Sequence, residues 1–170
     1  MAMQTSNGLL PFRNNDLYLI ISAFDRPDQW YWSLFVCISY PWGHVYNAVS
    51  KSSYWGPVYW EFEELVLDTL VQSSDVLVAI KLASLPDEES LVAVFLAVCA
   101  IYVPREGGFV EKWGEDFGCK VWVKEALEKL ISDGLVEFEG GVNELEERAV
   151  AIVRMACSEG VRVLVDLRDI

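Results

Sequence analysis

One cysteine and one histidine have the residue types that nucleophilic chemistry needs. The chain has four cysteines but a single histidine, so a thiol–imidazole mechanism must use His44. Cys119 is the best-placed thiol, because it follows Gly118 in the first turn of a predicted helix, where backbone N–H groups stabilise a thiolate. Glu115 and Asp116 oppose this effect, since nearby negative charge raises the pKa of a thiol. Two interpretations stay open: an activated nucleophile, or a small residue packed where a helix meets a sheet.

Several common catalytic and cofactor motifs are absent from the sequence. It contains no glycine-rich phosphate loop, no dinucleotide fingerprint, no Gly-x-Ser-x-Gly elbow and no His-Glu-x-x-His motif. No two cysteines form a Cys-x-x-Cys pair, so we expect neither a metal ion nor a cofactor. The remaining cysteines lie in apolar stretches, and we expect all three to be buried and inert: Cys37, Cys99 and Cys157.

The charge balance excludes several classes of partner. Lys and Arg number 13 against 26 acidic residues, which gives a formal charge of -13. Such a surface repels nucleic acid, and it lacks the basic clusters that dock on anionic lipids. The longest apolar run, 91–103, is shorter than the ~20 residues that span a bilayer. Residues 1–15 lack the basic start and long apolar segment of a signal peptide, so we expect a cytoplasmic protein.

The N-terminal half of the chain predicts an antiparallel sheet. Short apolar or aromatic runs alternate with turn residues, which predicts five strands at 17–24, 30–39, 44–50, 58–66 and 76–82. A turn is predicted at 25–28, and the short linker 40–43 makes the second and third strands a hairpin. The fourth strand has a helical alternative because it contains Glu61, Glu63 and Glu64, but its aromatic residues favour a strand.

The C-terminal half predicts helices. Capping signals at 84–89 begin a helix that ends before Pro104, and its apolar residues on all sides indicate that it is buried. Further helices are predicted at 116–132 and 144–158, a short strand at 135–138 and a final strand at 161–167. The sequence therefore predicts a flexible terminus, 1–15, and one α+β domain, 16–170. In this domain an antiparallel sheet of about five strands packs on helices.

Aromatic residues are concentrated on the predicted hairpin. Alternation places Trp30 and Trp32 on one face of the sheet and Tyr31 and Phe35 on the other, so both faces are partly apolar. We expect the helices to cover one face. The other face must be covered by the remaining chain, by a second copy of the chain, or by a ligand.

The segment 119–127, Cys-Lys-Val-Trp-Val-Lys-Glu-Ala-Leu, follows this aromatic hairpin, and the order resembles the circularly permuted papain-like proteins. That group includes lecithin:retinol acyltransferase-type enzymes and related fungal proteins. In the group, a His-Trp pair opens one hairpin strand, a polar residue lies on the returning strand, and the nucleophilic cysteine begins a helix after an asparagine. The resemblance covers roughly residues 16–134, and it implies a papain-like fold with thiol chemistry at Cys119.

The chain departs from that pattern at the positions that matter for catalysis. Tyr31 stands where the group has histidine, Asn47 takes the second polar position, and Gly118 replaces the asparagine. A phenol has an ordinary pKa near 10, so Tyr31 accepts a proton at neutral pH only if its pKa is strongly lowered. The resemblance therefore implies a cysteine whose usual base is missing.

His44 is the remaining candidate for the base. It follows Gly43 at the turn of the predicted hairpin, whereas Tyr31 lies at the open end, about five or six residues along the ladder. At ~3.3 Å per residue this separation is on the order of 17 to 20 Å, and a base must come within about 3 Å of its nucleophile. We therefore expect His44 to lie at the wrong end of the hairpin.

Two functions of different classes follow. The first is a non-catalytic, degenerate papain-like domain that binds a hydrophobic small molecule or a protein partner, including a second copy of itself. Its candidate ligand-binding residues are Trp30, Trp32 and Trp122. The second is a thiol acyltransferase or hydrolase with Cys119 as nucleophile and helix-start amides as oxyanion donors. Its candidate supporting residues are Tyr31, His44 and Asn47. We favour the first.

Overall fold

A seven-stranded sheet with three helices on one face forms the main body of the protein. The structure, a computed structural model, describes residues 4–6 (backbone only), 10–24, 29–52, 57–70 and 73–170. Its first strands are β1 (Gln4–Ser6), β2 (Asp16–Ala23), β3 (Trp30–Ser39), β4 (Trp42–Ser52), β5 (Val58–Leu67) and β6 (Val76–Ser84). They are followed by α1 (Glu88–Cys99), the short strands β7 (Phe109–Val110) and β8 (Glu115–Asp116), α2 (Cys119–Ser132), α3 (Val142–Glu159) and β9 (Arg162–Asp166).

The strand order in the main sheet is β1-β9-β6-β2-β3-β4-β5. Every neighbouring pair is antiparallel except β6 and β9, which run parallel. Parallel neighbours need a long crossover, and here α1, α2 and α3 supply it. The α+β class and the predicted hairpin of β3 and β4 are therefore confirmed, and residues 58–66 form a strand, not the alternative helix.

The sheet has an apolar core on each face. On the helix face, Trp32 and Leu34 of β3 pack with residues of all three helices. On the opposite face, Phe35 of β3 packs with Leu10 and Phe12, whose ring lies 5.2 Å from that of Phe35. The predicted alternation is confirmed for Trp32 and Phe35, and the remaining chain covers part of the second face. The segment 10–15, expected to belong to a flexible terminus, therefore supplies part of this core.

Four details differ from the sequence-based predictions. Residues 135–138 form no strand. Their first residue instead closes the C-terminal end of α2, where the N–H of Leu135 donates to the carbonyl of Leu130. Helix α1 is not buried on most sides, because it lies at the rim of the helical layer and Leu96 is 60% exposed. Cys99 and Cys157 are exposed, since each lies on the outer side of its helix, and only Cys37 is buried as expected.

The turn predicted at 25–28 lies outside the described residues. Within the part of the chain that the structure describes, no helix combines the length and apolar character needed to cross a membrane. In the same residues, no group of His, Cys, Asp and Glu side chains has an arrangement suited to a metal ion.

Candidate functional site

A cleft forms where two strands of the hairpin separate. All eight residues of β2 pair with β3, but the registered pairing of β3 with β4 begins only at Leu34↔Tyr46. Strand β4 meanwhile stays paired with β5 as far as Ser52↔Val58. Among the described residues, the segment 30–33 therefore has a paired strand on one side only, and the first turn of α2 closes the opening on the helix face.

This cleft has a volume of about 370 Å³. Most of its surface is apolar or aromatic, and a few polar side chains lie among the rings. The lining residues are Phe24, Gln29, Trp30, Tyr31, Trp32, Ser50, Trp60, Gly118, Cys119, Lys120 and Val150. The size and composition match those of small-molecule binding sites.

Cys119 lies in the wall of the cleft as the first residue of α2. Its sulfur accepts a hydrogen bond from the backbone N–H of Trp32 at 3.5 Å. Burial raises the pKa of the Cys119 thiol, and the N–H groups of Trp32 and Lys120 together with the Lys120 charge offset this only in part. The thiol therefore stays protonated at neutral pH. The carboxylate of Glu115, which was expected to oppose a thiolate, is paired with Lys120 at 2.6 Å.

Tyr31 lies in the same cleft, where the resemblance places the base. Burial raises the pKa of the Tyr31 phenol further above its ordinary value, and the charges of Cys119 and Glu63 act in the same direction. A phenol with a raised pKa holds its proton at neutral pH and donates hydrogen bonds. Tyr31 therefore cannot accept a proton from Cys119 under these conditions.

His44 lies at the other end of the hairpin. It pairs in register with Val36, four residues beyond Trp32, which puts it ~13 Å along the strand from the amide that contacts the Cys119 sulfur. Its Nδ1 is 2.6 Å from a carboxylate oxygen of Glu64, and it lines a different groove. The structure therefore does not bring the chain's single imidazole together with Cys119.

Two further candidates, Asn47 and Trp122, do not line the cleft either. Trp122 is fully buried, and its ring packs against Phe62 at 5.7 Å between centroids. Asn47 is buried on β4, where it pairs in register with Glu63. Among the described residues, neither the Asn47 Oδ1 nor the Trp122 Nε1 has a hydrogen-bond partner. Both residues therefore belong to the interior, and a ligand in the cleft does not contact them in this conformation.

A closed ring of charges holds the start of α2 in place. Lys124 is buried and bonds to Glu115 at 3.0 Å and to Glu146 at 2.6 Å, and Lys120 contacts the same two carboxylates. Burial alone would raise the pKa of Glu146, but the hydrogen bonds and charges of the two lysines lower it overall. The ring joins β8, α2 and α3, and it balances the charge of Lys120 in the cleft wall.

Sequence reasoning identified Trp30, Tyr31, Trp32 and Cys119, which the structure does bring together. It missed the cleft residues that other elements contribute: Phe24, Ser50, Trp60 and Val150. Ser50 and Trp60 are cross-strand partners, so a correct register for β4 and β5 would have placed them side by side. Val150 lies on α3, and no signal in the sequence connects it with the hairpin.

In comparisons with known proteins, the chain matches no protein-family model, no curated protein and no solved structure.

Proposed function

We propose that the protein is a non-catalytic domain of permuted papain-like architecture that binds a small hydrophobic molecule in the aromatic cleft. One observation carries the proposal: among the described residues, the thiol in the 370 Å³ aromatic cleft has neither an imidazole beside it nor a phenol that is ionised at neutral pH. The cleft is suited to binding, and the raised pKa of the Cys119 thiol disfavours a thiolate at neutral pH.

The papain-like part of the proposal is supported by the order and contacts of the elements. The β3–β4 hairpin precedes the cysteine helix in the chain, and the cysteine is the first residue of that helix. The helix start lies directly against β3, through the hydrogen bond from Trp32 to Cys119. This is the arrangement that the resemblance implies, with Tyr31 in the place of the usual histidine.

The cleft lining indicates the chemistry of the ligand. Three indole rings, of Trp30, Trp32 and Trp60, supply flat apolar surfaces that suit a planar or aromatic molecule. The charge of Lys120 is balanced by Glu115 and Glu146, so the described cleft residues offer no free cation to select an anionic ligand. The side chains of Gln29, Tyr31 and Ser50 offer hydrogen bonds. A neutral aromatic molecule with few polar groups fits this lining.

Binding of N-phenyl-1-naphthylamine, a neutral apolar fluorophore, tests the proposal. Trp30 is half-buried in the cleft wall, so Trp30→Ala removes ring contacts with little effect on the core, and we expect ~10-fold weaker binding. Trp42→Ala is the matched control, because Trp42 is exposed and lies outside the cleft. Phe95→Ala tests whether the fluorophore binds instead in the second groove, which is lined by His44 and by Phe95 of α1. Equal affinities of the Trp30→Ala and Trp42→Ala variants would contradict the proposal.

One observation favours the thiol enzyme as a second candidate. The Cys119 sulfur accepts backbone hydrogen bonds at a helix start, which is the geometry that supplies oxyanion donors in acyl transfer. In that case the cleft holds an acyl substrate, and a bound substrate must supply or recruit the base. The reactivity of the thiol separates the two functions.

A further inference from the structure

Strand β5 is an edge of the main sheet. It pairs with β4 along its whole length, from Ser52↔Val58 to Gly43↔Leu67. The N–H of Trp60 donates to the carbonyl of Arg105 at 2.8 Å, so the backbone groups of Trp60 point away from β4. Successive residues of a strand alternate in direction, and the N–H and C=O groups of Phe62, Glu64 and Val66 therefore point outward as well.

The outward backbone groups of these three residues are unpaired within the part of the chain that the structure describes. The only described backbone bond on this side of β5 is the one at Trp60, where the chain's own loop occupies the edge. Beyond it, Glu64, Leu65 and Val66 are all exposed, and Val66 is 57% exposed. An unpaired edge of this kind accepts a further strand.

An apolar groove lies beside this edge on the helix face of the sheet. It has a volume of about 290 Å³, with Leu91, Val92 and Phe95 of α1 on one side and Ile38, Tyr46 and Glu64 on the other. Glu64 lies in the groove, so by alternation the side chains of Phe62 and Val66 are on the same face. A strand added to β5 would direct every second side chain towards the groove, and apolar side chains suit it.

The opposite face of β5 is acidic. Glu61 and Glu63 both contact Lys51, so two carboxylates share one ammonium group, and the chain as a whole has a charge of -13. A second copy of β5 paired antiparallel across this edge would place its own glutamates beside these, and like charges on adjacent strands are destabilising. A strand that carries Lys or Arg side chains is stabilised at the same place. The acidic face therefore favours a basic partner over a second copy of the chain.

We propose that β5 binds an extended basic segment of a partner protein as an additional antiparallel strand. Its alternate apolar side chains lie over the groove beside α1, and its Lys or Arg side chains lie beside Glu61 and Glu63. Backbone hydrogen bonds to Phe62, Glu64 and Val66 fix its register. This surface is separate from the aromatic cleft, so the binding of a partner here is independent of the function proposed above.

Fluorescence anisotropy with the labelled hexapeptide (Lys-Val)₃ tests the proposal on the full chain. In the antiparallel register, the valine N–H groups face β5 and the lysine N–H groups face solvent. We expect N-methylation of the valines to weaken binding about tenfold or more, and N-methylation of the lysines to leave it unchanged. The charge-inverted peptide (Glu-Val)₃ is expected not to bind.

A protein variant tests the same edge from the other side. Val66→Pro removes an outward N–H, which an edge strand tolerates, and we expect it to weaken (Lys-Val)₃ binding about tenfold, whereas Val66→Thr retains it. Light scattering on the same variants measures self-association. Equal binding of the two methylated peptides, equal binding of (Glu-Val)₃, no binding of (Lys-Val)₃, or a dimer that Val66→Pro dissociates would each overturn the proposal. The peptide comparison decides the question even if Val66→Pro fails to fold.

Discussion

The chemistry of Cys119 is governed by two opposing local effects. The helix start and the Trp32 amide favour a thiolate, and the sequence pointed to the first of these only. Burial against indole rings disfavours any charge, and its effect on the pKa is the larger. A favourable position at the start of a helix therefore does not make a thiol nucleophilic when partial burial raises its pKa by more than the helix start lowers it.

Alkylation by iodoacetamide as a function of pH measures this balance. In a variant that retains only Cys119, we expect slow modification at pH 7 and a rate that is still rising above pH 9, because the thiolate forms only above the ordinary thiol pKa of 9.0. The free thiol N-acetylcysteine provides the reference rate. A plateau of the alkylation rate below pH 8 would show an activated thiolate, and it would favour the thiol enzyme over the binding domain.

At the scale of secondary structure, the tight turn end of the β3–β4 hairpin depends on Gly43. A side chain there would overlap the Phe35 ring and the carbonyl oxygen of Val36. The backbone of β4 therefore approaches β3 so closely that only glycine fits. This close approach holds the turn end together, while the open end separates to form the cleft.

The Gly43→Ala variant is expected to lose about 3 kcal/mol of unfolding free energy, since the added methyl group must displace an aromatic ring or the strand itself. Urea denaturation followed by circular dichroism measures the change. Gly141→Ala is the matched control, because its Cβ meets nothing within 4 Å and it changes only the N-cap of α3, so we expect a loss of at most about 1 kcal/mol. Similar losses in both variants would show that the close contact at Gly43 contributes little.

The elements were more predictable from the sequence than the site. Alternation and capping residues act locally, so the bounds of β3 and the approximate positions of β4 and α2 followed from short stretches of chain. The cleft depends on where β4 separates from β3, and pairing beyond Leu34 is a tertiary property that periodicity does not report. For the same reason, the exposure of α1 was not predicted: an all-apolar helix can lie at a rim as well as in a core.

At the scale of the whole molecule, stability depends on a core on each side of the sheet. The second core is small, and the chain segment with Leu10 and Phe12 closes it. The Phe12 ring contacts Tyr18 at 4.8 Å as well as Phe35, so one side chain joins the N-terminal segment to two strands. Burial of such a ring is expected to stabilise the fold by several kcal/mol.

We expect Phe12→Ala to lower the unfolding free energy by about 3 kcal/mol, because it removes a buried ring that links the terminal segment to the sheet. Thermal unfolding measures the loss. Phe109→Ala is the control, since Phe109 is largely exposed, and its effect is expected to stay within about 0.5 kcal/mol. A Phe12→Ala variant as stable as the control would show that the second core does not contribute to stability.

The adjacency of β9 and β1 has a consequence for synthesis of the protein on the ribosome. In the described sheet, β1 is an edge strand that pairs with β9, and the helices that cover Trp32 and Leu34 all follow β6 in the chain. The nascent strands β2 to β6 therefore emerge with one aromatic surface still uncovered. Completion of the sheet waits for the last strand to be translated, and a molecular chaperone has the whole of that interval in which to bind the exposed face.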